Sequence, residues 1–275
     1  MNHRTSAIAA AALVALTACS STIDVPPPRP FGFLDLNELS APSRSTGFVA
    51  RGTALFTQAR ITGVIGSADL PEGCNQAAAI QTGQAATSSP FDPGSVSLSL
   101  KSDAIAARTV PLLSQVTSSG GTYWTNDSLP NIDPGNDTAT FAATGAAGGF
   151  PAFSLKAQTV APFTPQPVDD SATGPGIRVQ WTASPNQRSA MQISLQYTDS
   201  ASKTGYPNME IVCIARDDGD FTISRVYLEP WEKAGVDSLN VHRGVAFSRF
   251  LTTTGGVGDA IVTVVARRDT TIIKQ

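Results

Sequence analysis

Residues 191–197 read Met-Gln-Ile-Ser-Leu-Gln-Tyr, with an apolar side chain at every odd position and a polar one at every even position. Successive side chains of a β-strand point to opposite faces, so Met191, Ile193, Leu195 and Tyr197 share one face and Gln192, Ser194 and Gln196 the other. The pattern recurs on either side. Ile177, Val179 and Trp181 alternate with Arg178, Gln180 and Thr182, and far upstream Val96-Ser97-Leu98-Ser99-Leu100 repeats it. Residues 209–215 are apolar on both sides, as expected of a central strand covered on two faces. Asp218-Gly219, within the turn 216–220, predicts a hairpin into Phe221-Thr222-Ile223-Ser224.

Farther out, residues 236–251 and 258–268 read as two closing strands joined by Thr252-Thr253-Thr254-Gly255-Gly256. Strand patterns also begin at Gly47. Helix is expected only in the alanine-rich stretch 75–84 and in one turn within 225–234, broken at Pro230. Residues 31–39 are apolar but irregular and predict a short strand or turn docked on the body. Glycines loosen 145–149, and 162–175 is a surface connection rich in proline and aspartate. Short strands punctuated by turns predict an all-β fold of antiparallel β-sandwich type, with a β-rich domain over 45–148 and a second sandwich over 149–275.

Charged residues make up 15% of the 275 residues and the formal net charge is −3. Soluble domains average about 25% charged residues. No basic face is implied, so nucleic acid is not an expected partner. The cysteines are Cys19, Cys74 and Cys213. With Cys19 otherwise engaged, Cys74 and Cys213 are either a disulfide in an oxidising compartment or two buried thiols in separate strands.

The amino terminus supplies that engagement. Arg4 precedes an uncharged run over 7–16, too short for the roughly 20 apolar residues that span a bilayer and proportioned like a secretory signal. Leu16-Thr17-Ala18-Cys19, which closes the run, resembles the bacterial lipobox at all four positions. The resemblance implies a signal peptide over 1–18 cut between Ala18 and Cys19, with the Cys19 thiol linked to a diacylglycerol. Two or more acyl chains hold a protein stably on a membrane. Ser20, where aspartate would favour inner-membrane retention, implies sorting to the outer membrane. Residues 19–44 then form a tether, in which Pro26-Pro27-Pro28-Arg29-Pro30 favours an extended polyproline path.

Little in the body carries catalytic chemistry. Past the signal, His242 is the one histidine, and no Gly-x-Ser-x-Gly elbow accompanies it, as a serine hydrolase of that kind would need. One histidine and two distant cysteines give no zinc spacing. Asp217, Asp218 and Asp220, and Asp133 with Asp137, are the clusters that could supply calcium ligands, but neither run matches an EF-hand loop, and aspartates also serve turns. Tyr123, Trp124 and Trp231 are the candidates for an exposed aromatic binding platform, with core packing the other reading.

The central tryptophan of 177–181, the strand with Cys213, the Asp218-Gly219 turn and the terminal strand pair together resemble the immunoglobulin-like sandwich of bacterial envelope lipoproteins. That resemblance covers roughly residues 150–275. It departs from true immunoglobulin domains in lacking an earlier cysteine in the same domain, so any bridge from Cys213 has to reach Cys74. The expectation is a non-enzymatic lipoprotein of the cell envelope, with no cofactor besides the Cys19 lipid and with envelope proteins or glycans as partners. A glycan- or peptide-binding module using the exposed aromatics is the alternative, and an envelope hydrolase is a third class.

Overall fold

The structure is a computed structural model that describes residues 27–40, 48–59, 66–78, 91–101, 106–116, 122–126, 129–133, 135–166, 176–199, 209–228 and 241–274. Its strands are β1 (Arg29–Ser40), β2 (Phe48–Ala59), β3 (Gly73–Ala78), β4 (Val96–Lys101), β5 (Arg108–Val116), β6 (Thr122–Thr125), β7 (Leu129–Ile132) and β8 (Thr138–Ala143), followed by β9 (Phe153–Gln158), β10 (Gly176–Gln180), β11 (Ala190–Asp199), β12 (Met209–Arg216), β13 (Asp220–Ser224), β14 (Val241–Val257) and β15 (Ala260–Lys274). A 3-10 turn spans Ser67–Asp69, and one helical turn follows β13 at 225–228.

The protein is all-β. Thirteen strands form one sheet in the order β3-β12-β11-β14-β15-β1-β2-β6-β5-β4-β8-β9, with β7 also on β2, and β10 pairs with β13 in a second, small sheet. Neighbours run antiparallel except β1 and β15, which are parallel. Two cores lie against this sheet. In the first, Phe56 packs between Trp124 and Phe150 at ring-centroid distances of 5.3 and 4.8 Å, above Leu34, Leu98 and Phe141. In the second, Ile177, Val179 and Ile223 of the small sheet face Ile193, Ile211 and Phe247 of the large one, which makes a sandwich.

The alternating stretches over 96–100, 177–180 and 191–195 lie in strands with their apolar side chains buried, and Trp181, just past β10, is buried as well. Elsewhere the structure departs from the sequence pattern. Residues 31–39 belong to a twelve-residue strand at the middle of the sheet, paired with β2 on one side and β15 on the other, so residues 29–40 of the stretch read as a tether over 19–44 are instead part of the body. Its irregular look has a cause: Leu34, Leu36 and Glu38 point to the core, so a charge sits where the alternation calls for an apolar residue. Residues 75–78, expected to be helical, lie in β3, where pairing with β12 overrides alanine's helix preference.

The Asp218-Gly219 turn makes no hairpin. β12 pairs with β11 and β3, whereas β13 pairs with β10, so the turn carries the chain from the large sheet to the small one. Gly219 has φ +101°, and a Cβ there would stand 2.9 Å from the Trp181 carbonyl oxygen, so glycine is required by both conformation and space. The cores also cross the sequence boundary near 148. Phe150, Phe153 and Val160 join the first core, Cys74 joins the second, and the β14–β15 hairpin serves both.

Candidate functional site

On the inner face of the long hairpin, side chains alternate by the rule that predicts strands, and one row breaks it. β14 presents Val245, Phe247, Arg249 and Leu251; β15 presents Val262, Val264, Ala266 and Arg268; β1 presents Leu34, Leu36 and Glu38, all buried. Register sets Glu38 beside Arg268, Arg268 beside Arg249, and Arg249 beside Met191. Leu251 and Ala266 on one side of this row belong to the first core, and Val245 and Phe247 on the other belong to the second. A belt of buried charge therefore separates the two cores.

Each arginine in the belt has a buried carboxylate. Arg249, with no side-chain exposure, stands 2.6 Å through Nε from Asp217 Oδ2 and donates through Nη2 to Asp217 Oδ1 at 2.8 Å. Asp217 also accepts from Trp181 Nε1 at 2.8 Å and Ser189 Oγ at 2.7 Å. The same guanidinium donates to the carbonyls of Ala161, Pro162 and Thr182 and lies 5.0 Å over the Phe163 ring. Beside it, Arg268 Nη2 donates to Glu38 Oε2 at 3.0 Å, and Glu38 Oε1 accepts the Val160 N–H at 2.7 Å. Burial pushes the Glu38 carboxyl up to about 7 despite these partners, and burial likewise lowers the Arg268 guanidinium. Isolated buried charges are costly, so the belt holds only because each charge is matched.

A cleft of about 650 Å³ opens above the belt, with residues 159–161 among its lining and the loop 184–189 along one side. Asn186 Nδ2 donates to Gln158 Oε1 at 3.2 Å, and Gln158 Nε2 donates to the Gly135 carbonyl at 2.8 Å, so both sides are tied together. Ser184, Gln187 and Ser189 also line a neighbouring concavity of about 600 Å³, which includes Arg216 and Asp218. The cleft falls in the size range of small-molecule sites.

The residues singled out in the sequence do not gather there. Cys74 and Cys213 are directly opposed on β3 and β12 and bonded, with Cα atoms 4.0 Å apart. The bridge lies within one sheet, whereas the immunoglobulin bridge crosses between two. Trp124 is core, edge-on to Phe56, which removes it from any exposed platform; Tyr123 is half-buried on the opposite face of β6. Asp217 is committed to Arg249, and exposed Asp220 pairs with Arg178, which pulls its carboxyl below the usual range. Asp218 is exposed, and Asp137 is buried and accepts the Asp133 N–H. Among the described residues no group of three His, Cys, Asp or Glu side chains is placed to hold a metal ion. The His242 backbone pairs with Thr198 in β14 and β11. Ala18, Cys19 and Trp231 lie outside the described residues.

The belt and the cleft escaped the sequence reading, although the signal was present. An arginine, an arginine and a glutamate each stand at an inward position of an apolar alternation, after Phe247, Ala266 and Leu36. The chain matches no protein-family model and no curated protein. Among the described residues no helix is long and apolar enough to cross a membrane, which says nothing of strands.

Proposed function

We propose that this chain is an exported bacterial lipoprotein, cut before Cys19 and acylated there, whose β-body serves binding in the cell envelope rather than catalysis. The Cys74–Cys213 bond carries the reading: it uses two of the three cysteines and leaves Cys19 as the one outside it. Disulfides persist in oxidising compartments, and a bacterial signal sequence leads to one. The lipobox and the proline-rich tether ahead of β1 supply the anchor, and Ser20 favours the outer membrane. A binding role is the better reading of the body because Asp217, the most enclosed of the acidic candidates in the second half, has both oxygens occupied by Arg249, Trp181 and Ser189. A carboxylate held so is a structural group. A platform built on Trp124 is set aside, since that ring is core.

Changing Cys19→Ser and fractionating cells tests the anchor. The variant should appear in the soluble envelope fraction or remain unprocessed. A processed form still held on the membrane would defeat the reading.

A further inference from the structure

We propose that the cleft between the cores binds an acidic saccharide; this rests on the binding role above and names its ligand class. The first argument is charge. The whole chain carries a net charge of −3, yet among the described residues the cleft is lined by Lys156 and Arg188 and by no carboxylate. Neither cation makes an ion pair among the described residues. Of the acids nearby, Glu38 faces Arg268, Asp217 faces Arg249 and Asp137 is buried, while exposed Asp218 lines the neighbouring concavity rather than the cleft. An electropositive concavity on an acidic protein concentrates anions in one place.

The second argument is the neutral lining, which separates a sugar from a simple ion. Gln158 and Asn186 spend part of their amide capacity on each other, on Gly135 and on the Arg188 N–H. An amide has two donors and two acceptor positions, so each keeps one donor and one acceptor for a ligand. Ser184 and Thr253 add hydroxyls, and Pro185 and Leu251 supply apolar surface. Paired donors and acceptors beside small apolar patches suit vicinal hydroxyls on a ring, and the two cations suit its carboxylate or phosphate.

The third argument is rigidity. The backbone at the floor is held from below, at the Val160 N–H by Glu38 and at the Ala161 carbonyl by Arg249 at 3.1 Å. A site ordered before the ligand arrives loses less entropy on binding. The belt that separates the cores thus also sets the floor of the cleft.

Isothermal titration of the purified full-length protein with trigalacturonate, glucose 1-phosphate and maltotriose is the test. At least one anionic probe should bind, and maltotriose should bind about tenfold more weakly or worse. The stronger anionic probe identifies carboxylate or phosphate as the natural group. Added salt should weaken the anionic probe and leave maltotriose unchanged, a result that needs no variant. The double variant K156Q/R188Q, changed only at exposed side chains, should lose about tenfold or more for the anionic probe with its circular dichroism unaltered. The proposal is overturned if neither anionic probe binds, if maltotriose binds as well, or if the double variant binds like the parent. Failure here with Cys19 still anchoring the protein would sink the ligand class alone; loss of the anchor with sugar binding intact would sink the lipoprotein reading alone.

Discussion

Replacing Arg249 by methionine tests the belt at its most enclosed point. The side chains of Arg249 and Asp217 are 0% and 1% exposed, so solvent cannot screen the charge that the change strands. Breaking a buried ion pair from one side typically costs about 3–5 kcal/mol. The part-buried carbonyls of Ala161, Pro162 and Thr182 lose their donor as well, which places the loss at the upper end of that range. Methionine fills most of the arginine stem's volume, so a cavity contributes little, and the expected loss at neutral pH is about 5 kcal/mol. Adding Asp217→Asn to Arg249→Met removes the stranded charge and should recover about 2 kcal/mol, a coupling of the size found for directly contacting residues. Urea unfolding followed by both tryptophan fluorescence and far-ultraviolet circular dichroism measures this and checks that the two signals coincide. A single-variant loss below about 1 kcal/mol, or no recovery in the double variant, would refute the belt as a matched set of charges.

Glu38 makes stability depend on pH. Its folded value of about 7 lies above the ordinary 4.5, because burial outweighs the Val160 N–H and Arg268 while Asp137 opposes ionisation further. The folded state therefore holds the proton more tightly than the unfolded chain. This contribution is complete below about pH 4.5 and is lost as pH rises through about 7, by roughly 3 kcal/mol in all. Measured against Glu38→Gln across that window, the parent should decline by that amount; parallel curves would contradict the assignment. For the disulfide, which closes a separation of 139 residues, the chain-entropy relation gives about 5 kcal/mol, so Cys74→Ala/Cys213→Ala should lose most of that in the same unfolding experiment. A loss under about 1 kcal/mol would show that the unfolded chain is not loosened by removing the bond.

The strands that the sequence made legible are those whose partners do not matter to the pattern. Met191, Ile193 and Leu195 alternate with polar residues whatever lies beside them, and they are buried as that alternation requires. β1 was hidden for the opposite reason. Glu38 reads as a surface charge until its partner is known, and Arg268 is 230 residues away in sequence. No local window contains both. Asp217 shows the same limit: in a run of aspartates it resembles turn chemistry or a cation ligand, and only the register that brings β14 past the turn reveals Arg249 behind it. The Asp218-Gly219 turn likewise lies between strands, but the sequence does not tell which sheet receives the second of them.

The most direct test of the central claim is the mass of the amino-terminal peptide of the mature protein, extracted from its native membrane. The account predicts a peptide that begins at Cys19 and carries a thioether-linked diacylglycerol. A mature chain that begins elsewhere, or a Cys19 that carries a free thiol, would contradict it.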